Sequence, residues 1–430
     1  MFKQSIIFSI LAYSSLSIAG GPLVLEGPGG TTPVTYQDPN ITINIENGDL
    51  GFLSNDAADS LVLDAFKLWN EISTSTINLV IDQSQINLDI NINNFETYLP
   101  NVDGSDYNAD DNLNPIVYDS DGEIIDAFFG TGQSNYTIGF AASILTIRSS
   151  HFEEGYVVIN GKNLGLTTTT FKLLIAHEIA HFFGLDHTQV DINNQETDFG
   201  SPSFCSSSDQ SAYPLMYPFV CRDEETLHQD DISAISALYP NADTSSNFGI
   251  LQGRFADETG KAILGANIWA ENTITGETVS IVSDYLTQGT GFYKLLLPAG
   301  SYTLHANSIN TLFNGGSGVG PYSRDINDIS FLDPHPITEV TFQGDSAGSD
   351  EIITITNNQT QVIDFAIDGK TVVIPEDIFP ADGNSDDADD SIADLFGASS
   401  HITLLMLLSL LLGRRIYSHV STNRGEKTNR

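Results

Sequence analysis

The chain has 430 residues, with 16 Lys plus Arg against 56 Asp plus Glu, a formal net charge of −40. A polyanionic partner would be repelled and no basic stripe exists to offset this, so nucleic-acid recognition is excluded. Apolar residues at 40% and aromatics at 10% are too many for an acidic disordered chain. Two cysteines exclude a disulfide-dense scaffold and a four-thiolate zinc site.

Met1-Phe2-Lys3, an apolar run from Ile6 to Ala19 and the small-residue stop Ser17-Ile18-Ala19 fit a secretory signal peptide over residues 1–19. Residues 22–39, rich in Gly, Pro and Thr, read as an extended lead-in. Ile41, Ile43 and Ile45 alternate with polar residues, as a half-buried strand does. From Asp56 to Glu71, Leu61, Ala65, Leu68 and Trp69 recur at helical spacing, with Asp56 as the expected cap. Ile77–Ile81 and Ile86–Ile92 read as strands, and 93–123 as a long Asp/Asn/Gly-rich segment. Strands are expected again over Ile138–Ile147 and Tyr156–Ile159, then helices over Thr169–Phe183 and Asp230–Leu238.

The stretch His177-Glu178-Ile179-Ala180-His181-Phe182-Phe183-Gly184-Leu185-Asp186-His187 carries the chemistry. On a helix, His177 and His181 at i and i+4 project from one face and suit two corners of a tetrahedral zinc site. Glu178 is adjacent to the first ligand, within reach of a metal-bound water. Gly184 lets the chain leave the helix sharply, because glycine takes positive φ without penalty. The turn brings His187 round as the third ligand. Three imidazoles leave one position open, which marks a catalytic rather than a structural site. Composition alone produces these five fixed positions on the order of 10⁻⁵ times per chain, which sets aside a helix of ordinary core histidines.

Downstream lies Leu215-Met216-Tyr217-Pro218. The extended H-E-x-x-H-x-x-G-x-x-H motif followed by this methionine turn resembles the metzincin metallopeptidases, and within them the matrixins. Residues 230–239 are similar to the matrixin C-terminal helix. The resemblance covers roughly 35–240 and implies an α+β peptidase domain with a twisted mixed sheet, an active-site helix and a C-terminal helix. It implies zinc on His177, His181 and His187, Glu178 as general base, Met216 as an apolar floor, and Pro218 with its neighbours lining the pocket for the side chain after the scissile bond. No tyrosine stands two positions after Met216, unlike in astacins. No cysteine precedes the zinc motif, so the matrixin cysteine switch is absent. His151 stands alone, without the His-x-Asp pattern of a second zinc. Cys205 and Cys221 flank the methionine turn. In an exported protein they are expected to pair, contributing about 3 kcal/mol in the chain-entropy model.

Between Lys67 and Arg148 there are twelve acidic residues and no Lys or Arg. Asp103, Asp106, Asp119 and Asp121 are candidate Ca²⁺ ligands, because oxygen donors at this density suit calcium. A solvated acidic surface is the competing reading.

A boundary is expected near 241–247. Beyond it, short strands at Ile250–Phe255, Asn267–Ala270, Thr278–Val282, Phe292–Leu297 and Tyr302–Ala306, punctuated by glycines, suggest a small all-β sandwich. Gly253-Arg254-Phe255-Ala256-Asp257-Glu258-Thr259-Gly260 and Leu297-Pro298-Ala299-Gly300-Ser301-Tyr302 look like the carboxypeptidase regulatory-like domain, which implies a transthyretin-like sandwich over 248–310. The span 311–375, with strands at Ile363–Ile367 and Thr371–Ile374, either completes or decorates it. Residues 376–394 form an acidic linker with eight carboxylates and no Lys or Arg. An apolar stretch within 395–415 and a polar tail, 416–430, follow. The layout resembles bacterial surface-protein sorting tails, and the rival reading is a plain membrane anchor.

The expected protein is a secreted or surface-anchored zinc endopeptidase, acting as a monomer on protein or peptide substrates. The alternative is a non-catalytic surface adhesion protein built on a metzincin-like domain.

Overall fold

A computed structural model describes residues 21–26, 32–99, 111–145, 150–162, 165–190, 210–310, 313, 317–322, 332–345 and 348–374. The signal-peptide, acidic-linker and C-terminal apolar expectations lie outside these residues. Among the described residues, no helix is long and apolar enough to cross a membrane.

A short hairpin, β1 (Leu25–Glu26) and β2 (Thr32–Pro33), leads in. The N-terminal half then runs β3 (Asn40–Ile45), α1 (Asn55–Asn70), β4 (Asn78–Asp82), β5 (Pro115–Asp119), α2 (Glu123–Phe129), β6 (Gly139–Ile144), β7 (Glu154–Asn160), α3 (Thr168–Phe182) and α4 (Gln229–Leu238). The first five strands of this series form one sheet in the order β4-β3-β5-β7-β6. Pairing is parallel from β4 to β7, and only the edge strand β6 runs antiparallel. This gives a mixed α+β architecture.

Both faces of the sheet are covered, which is why β5 and β7 are buried along their whole length. On one face Ile43, Ile116, Tyr118, Val157 and Ile159 pack against Ala65, Trp69, Phe171, Leu174 and Ile175 of α1 and α3. Trp69 locks these two helices by donating its indole N–H to the Ala176 carbonyl at 3.0 Å. On the other face Val117, Tyr156 and Val158 meet Ile124, Ile125, Phe128, Ile86 and Ile90.

Three expectations need correcting. Ile86–Ile92 is not a strand. Its alternation buries Ile86 and Ile90 as a loop that plugs the second face, without ladder hydrogen bonds. The segment 93–123 contains the central strand β5 and the start of α2, hidden in the sequence by flanking Asp, Asn and Gly. Helix α1 begins after Ser54 rather than at Asp56. Asp49 accepts from the Asn55 amide at 2.8 Å, and Asp56 sits within the first turn, where its charge suits the helix dipole.

A short helix, α5 (Thr244–Asn247), joins this half to a two-sheet sandwich. The sandwich strands are β8 (Phe248–Ala256), β9 (Ala266–Asn272), β10 (Thr278–Val282), β11 (Phe292–Pro298), β12 (Gly300–Ser308), β13 (Val340–Thr341), β14 (Ile353–Ile355), β15 (Thr360–Val362) and β16 (Phe365–Ala366). One sheet is β10-β9-β12-β13 with β14 also on β12, and the other is β11-β8-β15 with β16 also on β8. Leu251, Phe255, Tyr293, Leu295 and Phe365 from one sheet share a core with Ile268, Ala270, Ile281, Leu304 and Ile355 from the other. The late strands β13 to β16 thus pair into the sheets begun by β8 to β12. Thr371–Ile374 is not a strand; it makes only an isolated bridge through Thr371 to Phe365.

On β10 the two-residue period divides the labour. Val279 and Ile281 enter the sandwich core. Ser280 and Val282 face the N-terminal half, where Asp230 of α4 accepts from the Ser280 amide at 2.6 Å. The β10 edge is therefore capped by a carboxylate instead of another strand. Burial, and then the neighbouring Asp231, push the Asp230 carboxyl up to about 7. The native chain holds that proton between about pH 4 and pH 7, whereas the unfolded chain has released it. Stability present below pH 4 is therefore lost as pH rises through 7, by an order of a few kcal/mol. Asp230→Asn keeps the acceptor oxygen and should flatten that slope, leaving the variant more stable than wild type at pH 8. Urea unfolding at pH 5 and pH 8 reads this directly.

Candidate metal centre

Helix α3 starts at Thr167, whose hydroxyl accepts from the Thr170 amide at 3.1 Å. Its residues are apolar on nearly every side and pack between α1 and the sheet. The helix ends in two crossing hydrogen bonds, Gly184 N–H to His181 carbonyl at 3.0 Å and Leu185 N–H to Ala180 carbonyl at 2.9 Å. This is the Schellman pattern, and Gly184 supplies its left-handed residue at φ +97°. A Cβ there would also lie 2.8 Å from a ring carbon of Phe152. The exit is pinned from outside as well, since Leu23 N–H donates to the Gly184 carbonyl at 2.7 Å and Asp186 N–H to the Gly21 carbonyl at 3.2 Å.

The turn carries His187 back over the helix. The Nε2 atoms of His177, His181 and His187 converge, separated by 3.2, 3.0 and 3.3 Å. A tetrahedral metal with bonds of about 2.0–2.1 Å needs ligand nitrogens about 3.3 Å apart, so the cluster is already of metal size. Among the described residues it is the one group of His, Cys, Asp or Glu so gathered.

Each ring is oriented through its other nitrogen. The Nδ1 of His177 lies 2.7 Å from the Leu215 carbonyl, that of His181 2.8 Å from the Leu185 carbonyl, and that of His187 3.2 Å from the Gly318 carbonyl. A carbonyl oxygen can only accept, so Nδ1 carries the proton in all three rings and Nε2 presents its lone pair. Burial pulls His177 down to about 4 and His181 to about 3, and holds His187 well below its ordinary value. No proton therefore competes for these lone pairs at neutral pH. The donor set is borderline-soft, neutral and tripodal, which fits Zn²⁺ among the common divalent ions.

Glu178 is buried beside the cluster, and burial pushes its carboxyl up to about 8. A divalent cation among the three Nε2 atoms would favour the ionised form. The side chain lies against the start of β6: a Cβ on Gly139 would come within 3.1 Å of Glu178 Cγ and 3.2 Å of its Oε1. Glycine at 139 thus leaves the carboxylate its place next to the open sheet edge.

Met216 is buried in the same core cluster as the apolar residues of α3. Asp231 of α4 organises its turn, accepting from Leu215 N–H at 2.8 Å, Met216 N–H at 3.0 Å and His228 N–H at 3.0 Å. The Met216 carbonyl in turn accepts from Thr188 N–H at 2.9 Å. Arg222, also buried, donates to the carbonyls of Tyr213 at 3.1 Å and Thr226 at 2.5 Å, and bridges to Glu224 at 3.2 Å. No sequence-based expectation gives Asp231, Arg222 or Thr188 a role. The adjacent Asp230-Asp231 pair was the one available signal. Gly318, 131 residues from His187, left none.

The candidate calcium ligands do not gather. Asp119 spends its two carboxylate oxygens on the Ile124 and Ile125 amides at 3.1 and 2.8 Å, holding the first turn of α2. Asp121 is exposed and accepts from the Glu123 amide at 3.1 Å. Asp103 and Asp106 lie outside the described residues, as does Cys205. Cys221 is buried, and among the described residues no cysteine is free.

No family model matches the chain, and no curated protein is significantly similar to it. The functional reading therefore rests on the site itself.

Proposed function

We propose that this chain is an exported zinc-dependent endopeptidase of the metzincin type, closest in its motifs to the matrixins. The observation that carries the reading is the convergence of three Nε2 lone pairs, each ring fixed by a backbone carbonyl, with a buried carboxylate alongside. A zinc ion held there would supply Lewis acidity toward a peptide carbonyl and toward water. His177, His181 and His187 would hold the ion through their neutral rings. Glu178 takes a proton from the attacking water and returns it to the departing amine. The substrate backbone adds antiparallel to β6, an edge strand whose residues Gly139–Ser143 are only half-buried. Met216 floors the site, and the segment from Pro218 onward borders the pocket beyond the scissile bond. A Cys205–Cys221 bridge closes the methionine-turn loop.

The test is a peptide-library digest with the full chain, run with and without a chelator and followed by zinc re-addition. Cleavage that stops on chelation and returns with one equivalent of zinc supports the proposal. Tight zinc uptake with no cleavage of any library member would favour the adhesive alternative.

A further inference from the structure

The segment that follows the helix exit, His187-Thr188-Gln189, is irregular backbone, and each of its three residues makes one hydrogen bond to the sandwich. His187 Nδ1–H donates to the Gly318 carbonyl at 3.2 Å. The hydroxyls of Thr188 and Ser280 lie 2.9 Å apart, both buried. The Gln189 side-chain carbonyl accepts from the Asn310 amide at 2.6 Å. Within the N-terminal half, the same segment is tied by Thr188 N–H to the Met216 carbonyl at 2.9 Å and by His187 N–H to the Asp186 carboxylate at 2.6 Å.

The loop that delivers Gly318 is clamped by apolar packing. Phe313 meets Tyr217 edge-on at 5.3 Å and Phe219 at 5.6 Å. Val319, Tyr322, Ile309 and Val282 complete one buried cluster with Tyr213, Tyr217 and Cys221. This cluster joins the methionine-turn region to the sandwich without any member of the sandwich's own core. The His177 acceptor, Leu215, and the His181 acceptor, Leu185, both belong to the N-terminal half.

We propose that the C-terminal sandwich is a structural part of the metal centre: it positions the third ligand, His187, through Gly318, Ser280 and Asn310, and Phe313 holds that contact in place. The sandwich is thus a positioning element rather than a spacer, and it acts directly on His187, whereas the acceptors of His177 and His181 lie in the N-terminal half. This rests on the zinc reading above.

The test uses the full chain carrying Ser280→Ala with Phe313→Ala, two changes confined to the sandwich and touching no ligand. Zinc affinity is measured by competition with a chromophoric chelator, and Co²⁺ is loaded separately for its visible spectrum. Loss of an outer-shell orienting partner lowers metal affinity by about 10–100-fold, and that drop is expected here. The cobalt bands should weaken and shift as the third imidazole loosens, a change that general destabilisation of a folded protein does not produce. Phe313→Leu, which keeps most of the packing, should restore most of the affinity and the spectrum. Circular dichroism and urea unfolding confirm that each variant is folded. Should the double variant fail to fold, Ser280→Ala alone decides, with a smaller drop expected in the same direction. Wild-type affinity and an unaltered cobalt spectrum in a folded variant would overturn the proposal while leaving the zinc reading intact. A wild-type chain that takes up no zinc would overturn both.

Discussion

Glu178→Ala is expected to bind zinc with near-normal affinity and to lose peptide cleavage by about 10²–10⁴-fold, the usual contribution of a positioned general base. The carboxylate is not among the three gathered ligand groups, so removing it leaves the tripod and its carbonyl anchors in place. It also removes a buried group whose carboxyl burial has raised to about 8. In the metal-free protein the variant should therefore be at least as stable as wild type at pH 9, where the native carboxyl must ionise inside the fold. The sign follows from the raised pKa: the stability difference is absent below about pH 4.5 and grows as pH climbs through about 8. Single-turnover cleavage of a fluorogenic peptide and zinc titration of the same sample separate the two effects. Cleavage within threefold of wild type would remove Glu178 from the chemistry.

The second large effect is expected at a residue that touches no ligand. Asp231 is fully buried and accepts three backbone amides, two of them from the methionine turn. Hydrogen bonds to an ionised group contribute roughly 1.5–3 kcal/mol each, and stranded buried donors add a penalty. The bonds are not additive, so Asp231→Ala should cost about 3–5 kcal/mol overall. The damage reaches His177 through one residue. Leu215 gives its N–H to Asp231 and its carbonyl to His177 Nδ1. The variant should thus melt lower and bind zinc more weakly, whereas Asp231→Asn, retaining one acceptor oxygen, should fall between. Calorimetric melting of the metal-free and zinc-loaded forms measures both. Equal melting of Asp231→Ala and wild type would show that the turn holds itself.

The three-histidine cluster was readable from sequence because its members lie within one local pattern. A helix, a glycine exit and a return turn suffice to place His177, His181 and His187, and the structure brings their nitrogens together as that pattern requires. The same locality explains the placement of α1, α3, α4, β10 and β11, each legible from a short run of its own residues even where polar side chains such as Asp59, Asp231 and Ser280 are buried within it. It fails for β5. Pro115-Ile116-Val117-Tyr118-Asp119 is short and continuous rather than alternating, as a strand buried on both faces is, and its neighbours are rich in Asp and Asn. It fails in the opposite way for Ile86–Ile92, where alternation reflects a loop laying every fourth residue, Ile86 and Ile90, onto a sheet. Asp119 shows why carboxylate density misleads: a helix N-terminus satisfies an acidic side chain as well as an ion does. The outer layer of the centre was invisible for a different reason. Backbone carbonyls at 215 and 318 belong to every residue type, so no spacing of side chains announces them.

That contrast has a consequence for how the protein matures. The three imidazoles reside within positions 177–187, but the carbonyls that orient them are separated from their rings by 4, 38 and 131 residues. A chain emerging from its N-terminus therefore presents all three ring nitrogens long before the last acceptor has been synthesised. A metal ion bound at this cluster would meet its three nitrogens first and the orienting carbonyls of residues 215 and 318 later. Assembly order is thus written into the distances along the chain, with the latest segment setting the final grip.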